Sequence, residues 1–363
     1  MKNKKFDIWL FIGIILISIF GLIMIYSASH IWSEYKYGDS LKFLKNQGLF
    51  FLIGIFIMVI VSKIDYKIYF KKSNTILLIC TILLILVLIP GIGTVRNGSR
   101  SWFGIGSFGV QPSEFTKLAL IIFTAKYLNN NFGEMHKVKT CVLPILFLTL
   151  IIFGIIMLQP DFGTATIIVM TIVGMLFIGG VKLKFFLKIG LVGIIGVVGL
   201  IIIAPYRLQR ILSFLNPWSD PLGSGFQIIQ SLYAIGPGGL FGLGFGNSIQ
   251  KHFYLPEPQT DFIFSIICEE LGVVGAFIVV LLFAFIIYRG IKISLNAQDL
   301  FGKYLSFGII FGLAFQTILN LSVVIGLIPV TGVTLPFLSY GGSSLLISMA
   351  SMGILLNISR CNS

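Results

Sequence analysis

The strongest constraint on this chain is a succession of apolar runs, each at or near the length that crosses a bilayer and almost free of charge. Taken at the roughly 17 to 25 residues that a crossing needs, they predict about ten transmembrane helices at 8–27, 47–62, 75–90, 113–128, 141–159, 163–181, 189–204, 263–288, 304–325 and 339–357. Backbone polar groups in hydrocarbon must be satisfied within their own segment, so such runs fold as helices. A soluble domain is excluded by composition, with 56% hydrophobic and 11% charged residues over 363 positions. The chain is therefore read as one integral membrane domain over 1–363, an all-α polytopic fold with one long connection, 205–262, between the seventh and eighth helices. The first run has no small-residue cleavage site leading into a polar domain and is expected to be retained as a span.

Positive charge sets the expected orientation. With the N-terminus inside, the inner segments carry seventeen Lys and Arg and the outer ones eight, with Lys117 within a span. Both termini are then cytoplasmic and 205–262 lies outside. The same inner-loop excess against anionic headgroups accounts for most of the net charge of +13, so no nucleic-acid partner is implied. Cys80, Cys141, Cys268 and Cys361 follow no disulfide or zinc spacing, and His30, His136 and His252 are far apart.

In this topology the unusual polar residues gather on the outer face. They are Arg96 and Arg100 in the fourth span's leading loop, Glu114 and Lys117 at the outer end of that span, Asp161, and then Arg207, Arg210, Lys251 and Asp261 in the long connection. The segment Ser339-Tyr340-Gly-Gly-Ser-Ser344 joins them. Each has a plainer reading beside a functional one. Glu114 and Lys117, three apart on a helix, either neutralise each other or line a polar cavity. Asp161 is placed to cap the sixth helix and Asp261 the eighth, while Arg96 and Arg100 could hold their loop at the headgroups. The glycines of 236–246 lack the strand before and helix after that a nucleotide loop needs, and read as a flexible or re-entrant loop. Asp261, Ser265, Cys268 and Glu269 share one helical face, with Glu270 turned towards a neighbouring helix. A carboxylate at the mouth of a membrane helix is costly enough to imply a task. An enzyme on this face has no ATP, so bond formation there needs a pre-activated substrate such as a lipid-linked diphosphate.

Several long motifs, in order, carry a resemblance: Asn97-Gly-Ser-Arg-Ser-Trp102, Gln111-Pro-Ser-Glu-Phe-Thr-Lys117, Gln159-Pro-Asp161, Gly225-Phe-Gln-Ile-Ile-Gln-Ser231, Leu255-Pro-Glu-Pro-Gln-Thr-Asp-Phe-Ile-Phe264, Glu269-Glu-Leu-Gly272 and Pro329-Val-Thr-Gly-Val-Thr-Leu-Pro-Phe-Leu-Ser-Tyr-Gly-Gly-Ser-Ser344. The chain resembles the SEDS family (shape, elongation, division and sporulation; FtsW, RodA and SpoVE) over nearly its whole length, and its motifs are most similar to the SpoVE and FtsW branch. It departs from the common pattern at Ser101, where many members carry Arg.

The resemblance implies a peptidoglycan glycosyltransferase that polymerises lipid II into glycan strands at the outer face of the bacterial cytoplasmic membrane, with undecaprenyl diphosphate leaving, for division septum or spore cortex. It implies Asp261 as the catalytic base for the acceptor 4-hydroxyl. A departing diphosphate needs cations, for which Arg96, Arg100, Arg207, Arg210 and Lys251 are candidates, with Lys117 deeper. Glu114, Asp161, Ser339 and Tyr340 complete the expected substrate-binding set. A divalent cation, Mg or Mn, could share that work, but no metal-ligand pattern identifies its site. The implied partners are a class B penicillin-binding protein transpeptidase, divisome or sporulation proteins, and membrane lipid. Two other functions fit the same sequence: a lipid II flippase gated by Glu114, Lys117 and Asp161, and a non-catalytic divisome scaffold.

Overall fold

The structure is a computed structural model and describes residues 6–96, 98–104, 109–203, 212, 214–223 and 225–361. Its helices are α1 (Ile8–Tyr37), α2 (Lys42–Lys63), α3 (Lys67–Leu86), α4 (Pro112–Asn130), α5 (Leu143–Met157), α6 (Phe162–Ile178), α7 (Leu183–Ile203), α8 (Phe226–Ile235), α9 (Ile263–Asn296), α10 (Leu300–Val324) and α11 (Gly342–Cys361). A single π turn, Val138–Val142, leads into α5. Among the described residues, seven helical segments are long and apolar enough to cross a membrane: α1, α2, α3, the π turn with α5, α9, α10 and α11. α6 is apolar but shorter. The chain is thus a multi-pass membrane protein built of helices.

Several helices outrun their apolar cores. α1 continues past the hydrophobic run to Tyr37 and stops at Gly38, whose φ of 67° lets its N–H reach back to the Glu34 carbonyl. α3 starts at Lys67, eight residues before the apolar run at 75, because its lysine-bearing first turns need only water on their exposed side. Asp7, Asp161 and Asp299 each accept from a backbone N–H in the first turn of α1, α6 and α10. α4 opens with Pro112 in its first turn and Glu114 just behind it, the order that suits a helix N-terminus.

One end of the bundle is closed by polar clamps. Arg289 in α9 grips Asp7 with Nη2 to Oδ2 at 2.5 Å and Nε to Oδ1 at 3.2 Å, and Asp7 N–H donates to Ser359 of α11. Close by in the chain order of that end, the Tyr66 hydroxyl donates to Asp299 and the Tyr66 N–H to Asn357. Between the ends, the helices close on small residues: a Cβ at Gly353 of α11 would lie 2.7 Å from the Met58 carbonyl oxygen of α2.

The opposite end is irregular. The loop before α4 folds into a two-stranded antiparallel hairpin, β1 (Thr94–Arg96) with β2 (Ser99–Trp102), in which Arg96 faces Ser99 across the strands. This small sheet is a local addition to an all-helical bundle, and its signal is the Asn97-Gly98 pair that favours a two-residue hairpin turn. The described part of the long connection carries a further helix, α8. α8 buries Ile228, Ile229 and Ala234, and its Ser231 hydroxyl donates to the Val324 carbonyl at the last turn of α10. α9 is broken at Gly272, where φ 63° and ψ −158° interrupt the helix. The carbonyls released by the break accept from the glycine-rich segment: Leu243 N–H donates to Glu269 O at 2.9 Å and Gly244 N–H to Glu270 O at 3.0 Å. A Cβ at Gly242 would lie 2.1 Å from the Glu270 carbonyl oxygen, so only glycine fits there.

Candidate active site

Asp261 ends the tight turn that follows Leu255-Pro-Glu-Pro. Glu257 sits in the left-handed region at φ 46°, and Thr260 N–H closes back on its carbonyl at 3.0 Å. The Thr260 hydroxyl lies 2.7 Å from that same carbonyl and 2.9 Å from Asp261 Oδ1. The carboxylate is half-buried. It does not cap the following helix: the N-cap of α9 is Phe262, without a side-chain bond, and Ser265 Oγ donates to the Phe262 carbonyl.

Two neighbours fix this turn. Asn320, one turn from the end of α10, donates through Nδ2 to the Asp261 carbonyl and to the Val333 carbonyl, both at 2.7 Å. Tyr340 N–H donates to the Gln259 carbonyl at 2.8 Å. The segment 329–341 is thereby stitched to the Asp261 turn at two points. It also presses on α6, where a Cβ on Gly163 would lie 2.7 Å from the Thr331 carbonyl oxygen.

A second polar chain runs deeper. Lys117 Nζ is 2.9 Å from Glu114 Oε2 and 2.8 Å from Gln316 Oε1, and Gln316 Nε2 donates to the Thr334 carbonyl at 3.0 Å. Gln316 and Asn320, four apart on α10, thus connect the Glu114–Lys117 pair to the same segment that holds Asp261. Asp161 caps α6 through the Thr164 N–H and accepts from Gln111 Nε2 at 3.0 Å. Burial pushes its carboxyl above the usual carboxylate range and nearby Glu114 adds to that, against the Thr164 amide, which favours the charged form.

The remaining expected residues divide. Arg96 lies 5.1 Å from the centre of the Trp102 ring and within electrostatic reach of Tyr340. Burial pushes the Tyr340 hydroxyl up, while Asn46 and the Arg96 charge pull it down. Arg100 points the other way, with Nη1 3.5 Å from the Leu88 carbonyl beyond α3, so the hairpin separates the two arginines. Ser339 is buried, with its hydroxyl accepting from Leu335 N–H and its carbonyl from Gln47. Arg207 and Arg210 lie outside the described residues.

Lys251 is not at an open face. It is 2% exposed, and its ammonium lies 3.0 Å from the fully buried Glu270 and 2.5 Å from the Gly246 carbonyl. The Ser27 hydroxyl of α1 meets the same carboxylate at 2.6 and 2.7 Å. Glu269 accepts from Ser248 Oγ, Ile249 N–H and Gln250 N–H, so the polar face seen on α9 holds the connection in place. The neighbouring-helix orientation expected of Glu270 is found, whereas Lys251 is corrected from a substrate cation to an internal counter-ion. Sequence gave no hint of Asn320 and Gln316, amides inside an apolar run. Among the described residues there is no group of three or more His, Cys, Asp or Glu that could hold a metal ion.

A family model described as cell cycle protein, FtsW/RodA/SpoVE, matches residues 8–363. Stage V sporulation protein E of Bacillus subtilis is 53% identical over 359 residues, covering 99% of this chain and 98% of that protein. A probable peptidoglycan glycosyltransferase FtsW of Trichlorobacter lovleyi is 43% identical, covering 99% and 94%. Among solved structures, one on the structural coordination of polymerization and crosslinking by a peptidoglycan synthase complex superposes with a TM-score of 0.80 at 30% identity, covering 98% of both chains. The rod shape determining protein RodA of Thermus thermophilus superposes at 0.72 with 28% identity, covering 98% and 97%.

Proposed function

The chain belongs to the FtsW/RodA/SpoVE family, and from that premise we propose that it is a peptidoglycan glycosyltransferase polymerising lipid II at the outer face of the bacterial cytoplasmic membrane. On this reading the ten long helices all span, α4, α6 and α7 included, with both termini inside and 205–262 outside. Asp261 takes the proton from the acceptor sugar's 4-hydroxyl as that oxygen attacks the donor's anomeric carbon. The bond to the lipid diphosphate breaks, and undecaprenyl diphosphate leaves with the bonding pair. A general base must be ionised and within hydrogen-bond reach of the hydroxyl. A half-buried carboxylate on a turn pinned by Asn320 and Tyr340 is suited to that.

The observation carrying this reading is that the Asp261 turn is braced from two sides while its carboxylate is not consumed as a helix cap. Arg96 is the described cation best disposed to offset the diphosphate, and Arg207 and Arg210 of the long connection remain candidates for the same task. Arg100 contributes from the far face of the hairpin. Lys251 leaves the set because Glu270 neutralises it. Lys117 is neutralised by Glu114, so the deeper chain presents little net charge to draw a diphosphate through the bundle. That argues against the flippase reading. The growing strand must be cross-linked by a partner, a class B penicillin-binding protein, with divisome or sporulation proteins placing the pair at a septum or spore cortex.

Purified chain in vesicles with lipid II, alone and with a co-expressed transpeptidase, tests the proposal. Glycan strands support it. Lipid movement between leaflets without polymer supports the flippase, and partner binding without either supports the scaffold.

A further inference from the structure

Where the glycine-rich segment meets α9, it carries large apolar side chains that stand exposed among the described residues: Leu240 is 66% exposed and Phe241 79%. Their depth follows from the helices. The Asp7–Arg289 pair lies at the polar start of α1 and marks one membrane boundary, because a paired Arg inside hydrocarbon would be costly. From Arg289 back to Val273 is 289 − 273 = 16 residues of helix, a rise of about 24 Å. Val273 N–H donates to the Gly239 carbonyl and Val274 N–H to the Leu240 carbonyl, at 3.0 and 3.1 Å. Against a hydrocarbon core of about 30 Å, Leu240 therefore lies about 6 Å inside the opposite boundary, and helix tilt only deepens it.

α1 leads to the same level. Ser27, which binds Glu270, stands 27 − 7 = 20 residues above Asp7, about 30 Å. Glu270 and the Gly244 N–H bonded to its carbonyl thus sit at the boundary, and Gly239 to Phe241 sit below it. At that depth the Gly239 and Leu240 carbonyls are taken up by Val273 and Val274, and above them the N–H groups of Gly242, Leu243 and Gly244 all donate to carbonyls of the chain. The exposed face is continuous with the exposed belt of α9 at Val273, Val274 and Phe277.

We propose that residues 238–246 form a re-entrant finger inserted into the acyl region of the leaflet on the Asp261 side, with Leu240 and Phe241 against lipid chains. The finger is joined to the Glu269–Glu270 network, so the lipid contact sets the height of the long connection over the membrane. This inference does not depend on the catalytic reading.

The test uses the full chain with Cys361→Ser, leaving three buried native cysteines. A nitroxide is attached at Phe241→Cys, at Leu240→Cys in case the first fails to fold, and at two references: Phe277→Cys in the α9 belt and Leu222→Cys, 88% exposed. In vesicles of phosphatidylethanolamine and phosphatidylglycerol, collisions with oxygen and with a water-soluble nickel chelate are compared by power saturation. The expected result is an oxygen-to-nickel ratio at 241 or 240 severalfold above that at 222 and approaching that at 277. A ratio matching 222 would place the finger in water and overturn the proposal. Low collision rates with both reagents would also overturn it, since they indicate protein cover instead of lipid.

Discussion

Changing Lys251 to Met would leave the Glu270 carboxylate fully buried with the Ser27 hydroxyl and the Ser248 N–H but without its cation. Removing one partner of a buried ion pair costs about 3–5 kcal/mol, because the other charge stays desolvated. Glu270→Gln should cost a similar amount by stranding the Lys251 ammonium against the Gly246 carbonyl and a neutral amide. Membrane proteins of this size have a margin of order 5–15 kcal/mol if they resemble ordinary domains, so either change should sharply lower thermal survival in detergent. The double variant removes both charges while keeping chain length and the Ser27 contact, and should recover most of the loss. Size-exclusion after graded heating of the four proteins gives the cycle, with an expected coupling of about 3 kcal/mol. Additive losses in the double variant, or single variants as stable as the parent, would refute the assignment of Lys251 as an internal counter-ion.

Three further outcomes follow from the site. Asn320→Leu removes both donors that hold the Asp261 and Val333 carbonyls, so kcat for polymerisation should fall at least tenfold, equivalent to the ~1.4 kcal/mol that misplacing or unpairing such groups readily costs, with lipid II affinity changed little; equal losses in both, or none, would contradict its positioning role. Arg96→Ala should weaken lipid II binding more than Arg100→Ala, measured by equilibrium binding on vesicles, because Arg96 lies within electrostatic reach of Tyr340 and Arg100 turns towards Leu88; the reverse order would count against the cation assignment. A cysteine at Leu222 should react with a membrane-impermeant thiol reagent in intact cells once wall access is controlled, whereas labelling only after lysis would invert the proposed topology.

The membrane-spanning character was legible because hydrocarbon admits few backbone solutions, and Asp261 stands out as a candidate because a carboxylate beside an apolar run is expensive. Helix ends were less so. Hydropathy marks where the bilayer ends, but α1 runs on to Tyr37 and α9 to Asn296 because a helix needs no hydrocarbon to continue. The hairpin of 94–102 has as its sequence signal only Asn97-Gly98, two residues in an otherwise helical pattern. Lys251 could not be sorted from sequence: its counter-ion Glu270 lies 19 positions on and across a broken helix, and a loop lysine looks solvated until the chain closes over it. Asn320 and Gln316 were invisible for a different reason, since their amides carry no charge to stand out and their partners are backbone carbonyls of a distant segment.

The central claim rests on one carboxylate, and Asp261→Asn tests it with the least disturbance to shape. The amide keeps the size of the side chain and can still meet the Thr260 hydroxyl, but it cannot accept a proton from the attacking hydroxyl. Polymerisation of lipid II by the purified variant, assayed with its transpeptidase partner present, should fall by at least the roughly 10²–10⁴-fold that general-base catalysis contributes, while lipid II binding and thermal survival remain close to those of the parent. Near-parental polymer synthesis by well-folded Asp261→Asn would contradict the account and leave Asp261 as part of the turn's architecture.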